Sequence, residues 1–212
     1  MRTGLLALVM AICTASAGLA AMPGLMRMER SEADNADLDR ISQNLNAVHT
    51  MKGSFVQIGP DGQIDEGIFY IEKPGRMRFE YHAPNPVLIV SDGSTVAVAN
   101  RKLNTVDTYP LFTTPLDLIL SDDLNLKRNH SIVGVEREPG EIIVNARASS
   151  NRANGNLSMV FGQTDLALRE WTIIDAQGLQ THISLRDVQT GVTLDPLLFK
   201  LPEENDFTKK DE

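Results

Sequence analysis

The side chains able to do chemistry in this chain are scattered. The four histidines, His49, His82, His130 and His182, show no ligand-like spacing, so no metal site is expected. No Gly-x-Ser-x-Gly, Gly-x-Gly-x-x-Gly or phosphate-binding loop occurs. Acidic residues are many, yet no pair lies in the apolar context that raises a carboxyl pKa for general acid work. Three tyrosines and one tryptophan give no base-stacking platform. These residues argue for no catalysis and no cofactor. What the pattern does offer is apolar surface arranged for binding.

That surface is organised around Gly67 to Tyr81. Two strands meet there at the turn Lys73-Pro74-Gly75-Arg76, where proline presets φ and glycine accepts a positive φ. Beyond it Met77, Phe79 and Tyr81 share one face, and Arg76, Arg78 and Glu80 the other. Val87 to Val90 and Ser94 to Ala99 form the next pair, joined at Asp92-Gly93. Met51 to Ile58 precedes them, and Thr105 to Tyr109 continues the series. Further strands are predicted at 132–137, 141–148, 157–161, 168–175 and 181–187, with a last short one over Pro196 to Pro202.

Two helices interrupt the strands. Leu38, Ile41, Leu45 and Val48 mark one apolar stripe within 34–48. Thr114-Pro115-Leu116-Asp117 reads as an N-cap hydroxyl, a proline at the first helical position and a carboxylate three residues on. Leu116, Ile119 and Leu120 share a face of that second, short helix, which Ser121 to Asp123 ends. About ten or eleven antiparallel strands with one apolar face must bury it by curling and by using the two helices as covers. The predicted fold is mainly β: a curved, incompletely closed antiparallel barrel with an α-helical lid over a hydrophobic cavity.

The chain begins with Met1-Arg2, an apolar run from Gly4 to Ile12 and small-residue sites at Ala15-Ser16-Ala17 and Leu19-Ala20-Ala21. This is the pattern of a secretory signal peptide over 1–21. A flexible leader over 22–33, one domain over 34–202 and a charged tail over 203–212 are expected. The only cysteine, Cys13, falls within the signal, so the mature chain is expected to carry neither disulfide nor lipid anchor. Twenty basic residues face 28 acidic ones, a formal net charge of −8, which argues against nucleic acid and against anionic lipid surfaces.

Phe55-Val56-Gln57, the Gly67–Tyr81 hairpin with its Lys-Pro-Gly-Arg turn, and Ile89 to Gly93 together resemble the periplasmic outer-membrane lipoprotein carrier family. So do Thr114-Pro115, Asn154-Gly155-Asn156-Leu157, Trp171 to Asp175 and Pro196 to Phe199, which extends the likeness over nearly all the mature chain. The resemblance implies a periplasmic monomer that shuttles acylated lipoproteins from an inner-membrane transporter to an outer-membrane receptor or the membrane itself. The cavity and lid positions it implies are Leu45, Phe55, Phe69, Met77, Phe79, Leu116, Ile119 and Leu120. Lys73 takes the place of a basic latch, often Arg in the family, that bonds lid backbone near Leu45, Ile119 and Leu120. Met77 falls on a mouth position that is usually aromatic, which implies a more aliphatic lining. A carrier or sensor of free lipid or glycolipid on the same scaffold is the alternative. An envelope hydrolase is a third reading, and the missing nucleophile motif weighs against it.

Overall fold

The structure, a computed structural model, describes residues 30–147, 155–175, 177–204 and 206–207. The expected signal peptide, most of the expected leader, Asn154, Ala176 and the end of the tail lie outside the described residues. The chain runs α1 (Glu32–Ala47), β1 (Thr50–Ile58), β2 (Ile64–Glu72), β3 (Arg76–Tyr81), β4 (Val87–Asp92), β5 (Thr95–Asn100) and β6 (Thr105–Pro110). It continues through α2 (Leu116–Leu120), β7 (Ile132–Glu138), β8 (Glu141–Arg147), β9 (Gly155–Gly162), β10 (Leu168–Asp175) and β11 (Gln180–Thr190). Among the described residues no helix is long and apolar enough to cross a membrane.

All eleven strands form one antiparallel sheet in the order β6-β5-β4-β3-β2-β1-β11-β10-β9-β8-β7. The sheet is unclosed, with β6 and β7 as its edges, and the segment carrying α2 connects them. Its curvature follows from one distance. Phe79 on β3 and Trp171 on β10 are four strand spacings apart, roughly 19 Å on a flat sheet. Their ring centroids lie 6.0 Å apart, so the sheet curls until its inner face meets itself. Phe55, Phe69 and Phe79 fill the fold of that curl, with Phe69 stacked on Phe79 at 5.7 Å and Phe55 tilted against it at 4.9 Å.

Two glycines make room for those rings. Gly53 lies opposite Phe69 and Gly67 opposite Phe55 across β1 and β2. A Cβ at Gly53 would stand 2.6 Å from the Arg186 carbonyl and 2.9 Å from the Phe69 ring. At Gly67 it would collide with the Glu80 carbonyl and the Phe55 ring. Both phenylalanines occupy space that any other residue opposite them would fill.

The alternation read from β3 holds: Met77, Phe79 and Tyr81 are buried on the inner face. On the outer face Glu80 sits between Arg78 at 2.9 Å and Arg101 at 2.6 Å. A small second cluster of Leu88, Val90 and Ala99 lies outside the barrel and is covered by Leu201 and Phe207. Phe207, in the expected charged tail, is thus packed against the sheet.

Three expectations are corrected. The helix begins at Glu32, not after a leader ending at 33, because Ser31 and Asp34 form a reciprocal capping box. Thr114 does not cap α2. Its hydroxyl donates back to the Leu111 carbonyl at 2.8 Å, closing a 3-10 turn over 111–113, and α2 starts without a side-chain cap. The predicted last strand is also a 3-10 turn, Pro196–Phe199, capped by Asp195. Flanking prolines remove ladder donors, while Phe199 buries beneath the Arg76 guanidinium, 5.8 Å from its centroid.

Candidate functional site

The inner face of the curled sheet lines a half-open cavity of about 180 Å³. Met77, Phe79 and Tyr81 of β3, Ile89 of β4, Trp171 and Ile173 of β10 and Ile183 of β11 line it, with Leu116 of α2 at one side. Gln57 of β1 and Thr181 of β11 are its polar members. The Tyr81 hydroxyl donates to Gln57 Oε1 at 2.6 Å. Burial, with the Asp65 carboxylate nearby, pushes the Tyr81 phenol up to about 12, so it stays a donor at physiological pH.

Of the eight cavity and lid positions named from sequence, Met77, Phe79 and Leu116 border this cavity. Phe55 and Phe69 lie behind it in the aromatic packing, and Leu45, Ile119 and Leu120 are buried in the same continuous core. Met77 is 1 % exposed and lies inside rather than at a mouth. The lining is more aromatic than expected, because Tyr81 and Trp171 join Phe79. The β3 alternation had already put Tyr81 on the inner face. Nothing local marked Trp171, Ile173 or Ile183, whose place depends on β10 and β11 curling round to face β3.

The turn after β2 touches the last carbonyls of both helices. Lys73 is 6 % exposed, and its Nζ donates to the Leu45 carbonyl at 2.8 Å. Leu45 is in the last turn of α1, and its carbonyl also accepts the amide of the C-cap residue Val48 at 3.3 Å. Two residues on, the Gly75 amide donates to the carbonyl of Leu120, the last residue of α2, at 3.0 Å. The sequence pointed to Lys73 as the contact to both helices. The structure divides the work: the ammonium takes α1 and the backbone takes α2. Gly75 has φ +73, and a Cβ there would stand 2.6 Å from the Gly93 carbonyl, so the turn needs glycine for two reasons. Burial of the ammonium, partly offset by the Asp122 carboxylate, brings the Lys73 pKa from 10.5 to about 8.

The helices are held unequally. Around α1, Ser42 donates to the Leu38 carbonyl at 2.6 Å and accepts the Leu126 amide at 3.0 Å. The Asn46 amide pairs both ways with the backbone of Leu124, each bond 2.9 Å. Arg137 of β7 reaches Asp34 and Asp37, and Arg30 reaches the Lys127 carbonyl at 3.0 Å. The five residues of α2 have the Gly75 bond and the apolar contacts of Ile119 and Leu120. Among the described residues no three His, Cys, Asp or Glu side chains gather to hold a metal.

The chain matches the family model described as outer membrane lipoprotein carrier protein LolA over residues 46–202. It is 28% identical to an outer-membrane lipoprotein carrier protein of Methylococcus capsulatus over 179 residues, covering 80% of this chain and 85% of that one. It is 29% identical to the protein of the same description in Azotobacter vinelandii over 192 residues, covering 85% and 91%. A solved LolA superfamily protein from Nitrosomonas europaea aligns with a TM-score of 0.42 and 9% identity, covering 77% of this chain and 97% of that one. The match to the family model spans all eleven strands and the Lys73 turn, and on it the chain belongs to the outer membrane lipoprotein carrier protein LolA family.

Proposed function

We propose that this chain is a periplasmic carrier, exported by way of residues 1–21, that holds the acyl chains of lipoproteins inside the curled sheet. It takes them from an inner-membrane transporter and delivers them to an outer-membrane receptor or to the membrane itself. The observation that carries the reading is the apolar cavity bordered by α2, with one turn tying the ends of both helices. A dry cavity of about 150 Å³ accommodates benzene in another protein. The 180 Å³ present here therefore takes a short stretch of one chain, and longer acyl chains enter only as the helices move. Each buried methylene contributes about 0.8 kcal/mol, so displacement of the helices is driven by the cargo itself.

In this scheme Lys73 is the latch. Its bond to the Leu45 carbonyl exists when the helices are down and must break when cargo lifts them. Closed and loaded states then compete, which allows release without nucleotide energy. The Lys73→Leu variant is expected to bind a diacylated peptide more tightly and to pass it to acceptor vesicles or receptor more slowly. Transfer at the wild-type rate with unchanged affinity would end the latch assignment.

The carrier reading is tested by purifying the protein from its native envelope fraction and identifying bound lipid by mass spectrometry. Acylated peptides are expected. Free lipid alone would favour the alternative of a lipid carrier or sensor. In the purified protein a hydrophobic dye should bind and be displaced by an acylated peptide. Phe79→Glu, folded by circular dichroism, should lose both, because it buries an unpaired carboxylate.

A further inference from the structure

We infer that the indole N–H of Trp171, seconded by the amide of Gln57, is a recognition point within the cavity for the carbonyl oxygen of an ester- or amide-linked acyl chain. This deepens the carrier reading and rests on it. The cavity wall is almost wholly carbon, and its polar atoms are unequally used. Gln57 lines the cavity; its Oε1 accepts the Tyr81 hydroxyl, which leaves Nε2 as a pure donor. Trp171 is 1 % exposed, and its Nε1 is buried with no hydrogen-bond partner among the described residues. Buried donors are nearly always satisfied, and one left alone in an apolar wall is unfavourable.

The register relates the two donors. Trp171 pairs with Ile183 on β11, and Ile183 pairs with Gln57 on β1. They therefore lie on one cross-strand row of the cavity, separated by a single strand. Both are donors only, so what relieves them is an acceptor. A hydrocarbon chain has none. A carboxylate or phosphate has several, but no cationic side chain lines the cavity to balance its charge. A neutral carbonyl fits on both counts: it accepts a hydrogen bond and adds no charge. An acyl chain joined through an ester or amide carries one at its polar end. The site would then read where the hydrocarbon stops, and not only that it is greasy.

Trp171 is the sole tryptophan of the chain, so its indole gives one ¹⁵N-labelled Nε1–H resonance and a clean measurement. The probes are a diacylated peptide with ester-linked hexadecanoyl chains and its ether-linked dihexadecyl counterpart, titrated into the folded mature protein. The ester lipid is expected to move the indole proton downfield and to bind about tenfold more tightly than the ether lipid, the worth of one buried hydrogen bond. Trp171→Phe should bring the ester lipid to the ether level while changing the ether affinity by less than about twofold. Equal affinities of the two lipids for the wild type, or an indole resonance unmoved at saturation, overturns the inference and leaves the carrier reading standing. Should neither lipid bind, both fall. The wild-type resonance and affinity ratio decide the matter even if Trp171→Phe fails to fold.

Discussion

The two helices that meet the Lys73 turn differ in almost everything else. α1 has sixteen residues, a reciprocal capping box, Leu38 and Ile41 fully buried, and ties to the 124–132 segment and to β7. α2 has five residues and no side-chain cap, with Ile119 and Leu120 buried and Leu116 and Leu118 only partly so. A five-residue helix cannot hold itself by backbone bonds alone, since nucleation consumes most of what so few bonds supply. Its conformation depends on what it packs against. The contrast orders their release: α2 is the cover that gives way at least cost, and α1, rooted in the core, lifts after it, when cargo breaks the Lys73 bond. The turn 73–75 serves both because it is anchored in the longest continuous stretch of pairing, between β2 and its neighbours.

That contrast can be broken at its strongest point first. Leu38→Ala removes a fully buried side chain from the α1 stripe and should cost about 2–5 kcal/mol in urea unfolding. A loss under about 1 kcal/mol would mean that α1 is as loosely held as α2.

Next comes Ser42→Ala. It strips the partner from the buried Leu126 amide, with an expected loss of about 1–3 kcal/mol. Hydrogen exchange at Leu126 should quicken, and an unchanged rate would show that water takes over the bond.

Lys73 sharpens the comparison through pH. The folded chain gives up its Lys73 proton near pH 8, whereas the unfolded chain keeps it to about 10.5. Between those values the unfolded state binds more protons, so stability rises with pH, by at most about 1.4 kcal/mol per unit. Tyr81 opposes this above about pH 10, because its folded value near 12 lies above its unfolded one. The urea midpoint of the wild type should therefore climb from pH 8 to 10, and that of Lys73→Met should stay flat there. A flat wild-type profile would show that the ammonium is not buried in solution.

The smallest effect is expected from Leu116→Ala. Half-buried at the cavity edge, it should lower stability by less than about 1 kcal/mol while weakening dye binding measurably. Equal or larger losses of stability than Leu38→Ala would reverse the assignment of cover and core.

The sequence by itself determined those elements whose causes are local. Period-two alternation at Met77, Phe79 and Tyr81 set an inner face; the stripe Leu38, Ile41 and Leu45 set α1; proline and glycine at 74 and 75 set the turn. Each depends on backbone preferences and on which side chains neighbours along the chain present. Where local cues were ambiguous they misled. Pro196 to Pro202 looked like a strand because it is apolar, and becomes a 3-10 turn because Phe199 finds a seat under Arg76. Thr114 looked like a cap because it precedes Pro115, and instead bonds back to Leu111. Ser31 and Asp34 form a legible capping box that starts the helix at Glu32, two residues before the predicted 34.

The site itself was decided by tertiary structure. Trp171 meets Phe79 only because the sheet curls through four strand spacings, a consequence of how rings, glycines and twist combine across β1 and β2. Lys73 and Leu45 are 28 positions apart, and no spacing rule joins a turn lysine to that helix carbonyl. The buried indole N–H of Trp171 is likewise invisible in a strand that reads as any other. Local chemistry fixes what each segment can be, but which groups face one another across an interior depends on closing long loops, and that is settled only when the whole sheet forms.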